Sequence, residues 1–300
     1  TLSKLRSDII IVTLTGDRQG RPQVDYTVNP ALGIPDITGH EGSADPVANA
    51  IPAWDMIAGN MCVSSLLAAE RYRLRHGVGQ DVEIALKDVA AAAIGHLGMI
   101  ADATLNSDDR TKAGNALYGA YGKDFLCADG NRVMIIGLTS RQWSGIVKAT
   151  YTSEQFKKLE IENNINLQDE SIRWQWRHAI TEIIQPWFKI RAVEDFADDF
   201  DKTGLTWSVF RSVKEALNVD PDLTEDNPLF KKILQPDAGE FLVPKHPANF
   251  SKVENSDATP APALGEHTEE VLGDVLNLSD LEISNLFDDG VVASPNYNKN

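Results

Sequence analysis

Asp55 closes the string Pro52-Ala53-Trp54-Asp55, at the head of a segment with helical apolar spacing and directly after a long stretch of loop composition. An aspartate in that place has two readings. As an N-cap, its carboxylate accepts a backbone N–H of the first helical turn. As a nucleophile, it exploits the same helix end differently: the N-terminal dipole favours the ionised form, and nearby backbone donors stabilise the oxyanion made when a carboxylate attacks a carbonyl. Asp88, in Lys87-Asp88-Val89, is the competitor. It follows a strand by a tight turn, where an acid cap is what the turn requires.

Other residues with chemical potential have plainer readings. His96 lies among Gly95, Leu97 and Gly98 on an almost wholly apolar helix and reads as a core histidine with satisfied nitrogens. Tyr26, inside Val24-Asp25-Tyr26, either stacks on a purine or pins its loop to the core. Trp143, Trp174, Trp176 and Trp187 read as core and inter-helix packing rather than a ligand cage. Gly265-Glu266-His267-Thr268 reads as a helix start with acids in its first turn. The chain contains no Walker loop, no Gly-x-Gly-x-x-Gly after a strand, no Gly-x-Ser-x-Gly elbow and no paired-histidine metal motif.

The elements that must position these residues follow from periodicity. Ile9 to Leu14 is a β-branched run closed by Gly16, the pattern of a strand buried on both faces in a parallel sheet. Residues 18–52 are rich in Gly, Pro, Asn and Asp and read as a long loop, a kind that often carries function. A helix runs from Asp55 to Arg73, with acid at its start and bases at its end, and Gly77 and Gly79 stop it. Val82, Ile84 and Leu86 alternate as a strand, and an Ala-rich helix runs from Asp88 to about Thr104. Tyr118 to Phe125 and Val133 to Ile136 flank an Asp-Gly turn and form a hairpin. Helices follow to about Phe200, a mixed segment runs from Trp207 to Phe250, residues 251–264 form a linker, and an acidic helical end closes the chain.

The 300 residues are 42% hydrophobic and 24% charged, which supports a sizeable core and excludes disordered and collagen-like classes. A net charge of −16 disfavours nucleic acid and acidic membrane surfaces as sequence-independent partners. Cys62 and Cys127 are too few for a disulfide framework or a zinc cluster and point to a reducing, cytoplasmic setting. No run is apolar for the roughly 18 residues a membrane span needs. The start at Thr1, entering almost at once into a strand, reads as a chain that begins inside a domain.

Several of these strings together resemble the class III CoA transferases, the CaiB/BaiF type. They are Asp8-Ile9-Ile10-Ile11-Val12, Val24-Asp25-Tyr26, the Asp55 helix ending in Leu66-Leu67-Ala68-Ala69-Glu70, and Gly77-Val78-Gly79-Gln80-Asp81-Val82. The tail from Ala263 to Leu272, followed by Gly290-Val291-Val292, completes a resemblance that spans essentially the whole chain. In that family the nucleophile is an aspartate at the head of the helix before the Gly-x-Gly-Gln turn. Counting back from Gly77-Val78-Gly79-Gln80 places it on Asp55 and not Asp88. The resemblance also lays Val24, Asp25 and Tyr26 along coenzyme A, although some members put a lysine where this chain has Val24.

The resemblance implies an α/β fold with a Rossmann-like large domain, incomplete at its N-terminus, and a smaller α+β domain. The expected division is 1–106 for the remainder of the CoA-binding domain, 107–206 for the small domain, and 207–300 for a linker and C-terminal return. It further implies an acyl-CoA thioester as substrate, no permanently bound cofactor, no metal, and an interlocked homodimer when the chain is full length. Ile84 to Val89, Gly95 to Ile100 and Leu117 to Gly122 are most similar to members that move CoA between the two carboxyl groups of one dicarboxylic acid. The family's glycine-rich loop is not evident. An intermolecular CoA transferase, and a non-catalytic binding or assembly protein with Asp55 as a simple cap, are the alternatives.

Overall fold

The computed structural model describes residues 2–236 and 238–295. Its contacts divide into two compact units, Thr1–Phe210 and Arg211–Asn300.

The first unit opens with a short helix α1 (Leu2–Leu5) and strand β1 (Ile10–Thr15). Helices α2 (Asp25–Ala31), α3 (Ile34–Ile37) and α4 (Ala53–His76) lead to β2 (Gln80–Ala85), which pairs parallel with β1 in the register Val12 to Val82. A parallel pair needs a crossover, and α4 supplies it, packing on both strands. Gly77, at φ 72°, ends α4 in the left-handed conformation that glycine adopts without strain, and its N–H returns to the Arg73 carbonyl. Helix α5 (Leu86–His96) follows β2 directly, and α6 (Met99–Leu105) follows after Gly98 at φ 76°.

Three expectations are corrected here. The stretch 18–52 holds two helices, because the buried Val28 and Asn29 give α2 an inner face despite Pro30 in its last turn. The Ala-rich segment is two helices bent by 67°, since Gly98 turns the chain at the break. Strand β1 is not buried on both faces. Among the described residues it pairs with β2 alone and packs on α4, and Thr13 and Leu14 are exposed. A small apolar core around Val28, Trp54, Ala58, Leu86 and Ala90 ties these elements together.

The rest of the unit is built on a three-stranded antiparallel sheet, ordered β3 (Tyr121–Leu126), β4 (Arg132–Gly137) and β5 (Thr206–Val209). The hairpin read from the Asp-Gly turn is present, with Phe125 opposite Val133. Helices α7 (Ser140–Ala149), α8 (Ser153–Asn163), α9 (Glu170–Gln175), α10 (Arg177–Lys189) and α11 (Ala197–Thr203) lie between β4 and β5. Their apolar faces and the sheet enclose a second core around Tyr121, Phe125, Trp143, Ile180 and Phe188, with Trp176 and Trp187 packed on it.

The second unit contains α12 (Val213–Val219), a hairpin of β6 (Phe230–Gln235) and β7 (Gly239–Pro244), and the short helices α13 (Thr268–Glu270) and α14 (Asp280–Asp288). Residues 251–263 between the hairpin and α13 form no helix or strand. Among the described residues no single helix is long and apolar enough to cross a membrane.

Candidate active site

The head of α4 is assembled from two distant pieces of sequence. Pro52 stands at the N-cap position and has no side-chain acceptor to offer the first turn. The acceptors come from α2 instead. Asp25 is only 2% exposed, and its Oδ2 accepts the Trp54 amide at 2.7 Å. One turn further along α2, Asn29 Oδ1 accepts the Trp54 indole N–H at 3.1 Å. The Ala53 amide donates to the Ile51 carbonyl at 2.9 Å, and the Met56 amide to the Pro52 carbonyl at 3.2 Å.

Asp55 is the third residue of α4, exposed at this end of the helix. Among the described residues its carboxylate has no hydrogen-bond or ion-pair partner, so it does not cap the helix. The positive end of a 24-residue helix lies beside it, while Arg73, Arg75 and His76 occupy the opposite end. Asp88 takes the same third position in α5, but Arg18 faces it at 3.5 Å. Two acids with the same local grammar thus differ in partners.

Val24 and Tyr26 flank Asp25 and point the other way, 59% and 56% exposed. The Val24 amide donates to Thr27 Oγ1 at 3.0 Å, fixing the first turn of α2. The string Val24-Asp25-Tyr26 therefore splits into two side chains open to solvent and one turned inward onto the Asp55 helix. His96 is not a core histidine: α5 ends there, leaving it exposed at the helix C-terminus.

A second cluster escaped the sequence reading. Arg110 lies 3.4 Å over the Tyr118 ring, Tyr118 is 4.9 Å from the Trp174 ring, and Arg177 lies 4.2 Å over that indole. Trp174 is thus part of a cation–aromatic ladder, unlike Trp143 in the core. The ladder lines a cleft of about 420 Å³ together with Asp102, Asp108 and Asp109. Arg177 also donates to Glu41 at 2.7 Å, and His178 approaches the same carboxylate at 3.2 Å. Burial alone would raise Glu41, but the Arg177 hydrogen bond and charge, with His178, hold it below the usual carboxylate range. Nothing in spacing links positions 41, 110, 118, 174 and 177, so only the fold reveals them. Among the described residues no group of three or more His, Cys, Asp or Glu side chains is placed to hold a metal ion.

An exposed carboxylate at a helix head, without a partner among the described residues, has the chemistry to attack a carbonyl carbon. The chain is 46% identical to 2-methylfumaryl-CoA isomerase of Chloroflexus aurantiacus over 98% of its own length and 72% of that protein's. It is 24% identical to succinyl-CoA:glutarate CoA-transferase of Mus musculus, over 97% of this chain and 65% of the mouse protein. Among solved structures, a CaiB/BaiF family protein from Brucella suis superposes with a TM-score of 0.68 at 19% identity, covering 91% of this chain and 70% of that one. Rv3272 from Mycobacterium tuberculosis gives 0.70 at 18% identity, covering 89% and 70%. These likenesses establish a shared mixed α/β fold. The profile of CoA-transferase family III matches residues 1–268, and the chain belongs to that family.

Proposed function

We propose that this enzyme moves coenzyme A from one carboxyl group to the other within a dicarboxylic-acid thioester, as in 2-methylfumaryl-CoA isomerization, with Asp55 as the covalent nucleophile. The observation that carries the reading is the exposed Asp55 carboxylate, without partners among the described residues, at the head of α4, in a chain 46% identical to the Chloroflexus isomerase.

The steps balance without a net proton or an external reagent. The Asp55 carboxylate attacks the thioester carbonyl, the C–S bond breaks, and a mixed anhydride and CoA thiolate result. The thiolate attacks the aspartyl carbonyl of the anhydride, giving an aspartyl-CoA thioester and the free diacid. The diacid's other carboxylate attacks that thioester and expels the thiolate, and the thiolate then takes the acyl group from the new anhydride, which regenerates Asp55. Holding the diacid in place presents its second carboxylate at high effective concentration.

Val24 and Tyr26, on the open side of α2, are the side chains of their string available to the coenzyme, while Asp25 serves the segment from within. Coenzyme A enters as substrate. The protein is read as a homodimer, supported by the apolar side chains that α4 leaves exposed, among them Met56, Val63 and Leu67. The two free cysteines accord with a reducing, cytoplasmic setting.

The test supplies isotopically labelled free mesaconate in excess during turnover of 2-methylfumaryl-CoA, with Asp55→Ala and Asp88→Ala in parallel. Unlabelled isomerised product, lost in Asp55→Ala and kept in Asp88→Ala, is the expected result. Rapid label incorporation would move the reading to an intermolecular transferase, and activity surviving in Asp55→Ala would remove the nucleophile.

A further inference from the structure

We propose that Asp25 and Asn29 are positioning residues for Asp55: from one face of α2 they grip Trp54 at two points and so set the direction in which the first turn of α4 presents its aspartate. This inference rests on the reading of Asp55 as the nucleophile.

The geometry is unusual for a helix start. Caps are normally local, supplied by the residue just before the helix, yet here Pro52 cannot serve and the acceptor comes from 29 residues upstream. The donor it takes belongs to the residue adjacent to Asp55. One hydrogen bond to a backbone amide would leave the turn free to pivot about that bond. The second, from the Trp54 indole to Asn29, removes that freedom, because both acceptors sit on the same rigid helix one turn apart. Asn49 adds a longer contact to the Asn29 oxygen at 3.5 Å. Asp25, Asn29 and Trp54 are all buried, so the arrangement is dry and water does not compete for these bonds.

A carboxylate is an expensive choice for a buried acceptor. Among the described residues Asp25 has no ion-pair partner, and burying a charge without one is costly unless hydrogen bonds repay it. A neutral amide could accept the same N–H. What Asp25 adds is a charge-assisted bond, shorter and stronger than a neutral one, placed where a loosened turn would swing the nucleophile away from its target. The outer side of the same helical turn carries Val24 and Tyr26, so α2 holds the nucleophile's helix on one face and offers two exposed side chains on the other.

The experiment uses the full-length protein and five variants: Asp25→Ala, Asp25→Asn, Asn29→Ala, Trp54→Phe and the Asn29→Ala/Trp54→Phe double variant. Each is assayed for kcat and KM with the CoA thioester, and for the single-turnover rate at which hydroxylamine captures Asp55. Asp25→Ala should lower kcat and the capture rate together by about 100-fold, the scale at which a misplaced reacting group costs rate, with KM changed less than about threefold. Asp25→Asn, which keeps a carbonyl acceptor, should recover at least about tenfold of that loss. Asn29→Ala and Trp54→Phe remove opposite ends of one bond, so the double variant should be no slower than the worse single one. A raised KM with unchanged kcat in Asp25→Ala would make Asp25 a coenzyme contact and overturn the proposal. So would an unchanged capture rate, or additive losses in the Asn29 and Trp54 pair. If Asp25→Ala fails to fold, the Asp25→Asn rate and the Asn29–Trp54 cycle decide. Absence of any hydroxylamine adduct on Asp55 in the parent protein would instead defeat the nucleophile reading, a separate outcome.

Discussion

At the scale of single residues, environment separates side chains that composition treats as equal. Cys127 is buried at the hairpin turn, and burial, with the Asp129 charge behind it, pushes its thiol up to about 11. The thiolate is the reactive species, so near pH 8 only about one Cys127 in a thousand is ready to react, and that one lies out of reach. Cys62, on α4, is half-buried. Iodoacetamide at pH 8 should therefore modify Cys62 first and leave Cys127 untouched until the protein is unfolded in guanidinium, with the sites read by peptide mass spectrometry. Equal rates at the two positions in the folded protein would mean that the hairpin turn opens far more readily than its packing suggests. The same distinction divides the acids: Asp55 and Asp88 share a helical position, and Arg18 faces Asp88 at 3.5 Å while Asp55 has no such partner among the described residues.

At the scale of elements, close approach of chains decides what a substitution does. A Cβ on Gly79 would overlap the Ile9 carbonyl oxygen, where β1 and β2 begin to pair, whereas a Cβ on Gly59 inside α4 meets nothing within 4 Å. Gly79→Ala must force the strands apart and should cost about 3 kcal/mol. Gly59→Ala relieves a flexible residue inside a helix and should gain about 0.5–1 kcal/mol. Urea unfolding checks both, and a Gly79→Ala protein as stable as its parent would show that the β1–β2 pairing can shift without penalty. These elements were largely legible in the sequence: the β-branched run of β1, the charge gradient and glycine stop of α4, and the Asp-Gly turn of the hairpin are local signals. Helix α2 was not, because Asp25, Asn29 and Pro30 look like turn formers until Trp54 arrives to use two of them as acceptors. The site divides the same way. Asp55 announces itself by its place at a helix head, while its support from Asp25, and the stacking of Tyr118 on Trp174, depend on contacts between segments 29 and 56 positions apart, which no local pattern encodes.

At the scale of the whole molecule, two irregular stretches are held in different ways. Residues 17–24 follow β1 without regular structure, yet the buried Asp17 gathers them: its Oδ1 accepts the amides of Gln19 and Arg21, both at 2.9 Å, and its Oδ2 pairs with the Arg21 guanidinium at 2.6 Å. In the second unit, residues 251–263 are mostly exposed, and their ion pairs, Asp257 with Lys231 and Lys245, lie several residues beyond the exposed Lys252. A protease must draw a long run of backbone into its cleft, so local tethering matters more than the mere presence of a lysine or arginine. Limited trypsin digestion should therefore cut first after Lys252, and only later after Arg18 and Arg21. The unit ending at Phe210, with its two buried cores, should persist as a resistant band. Digestion followed by intact-mass measurement reads the order directly. A first cut at Arg18 or Arg21 would mean that the Asp17 hydrogen bonds do not hold that segment in solution. The seat of the Asp55 helix, which begins at residue 25 just beyond it, would then be less rigid than its buried contacts imply.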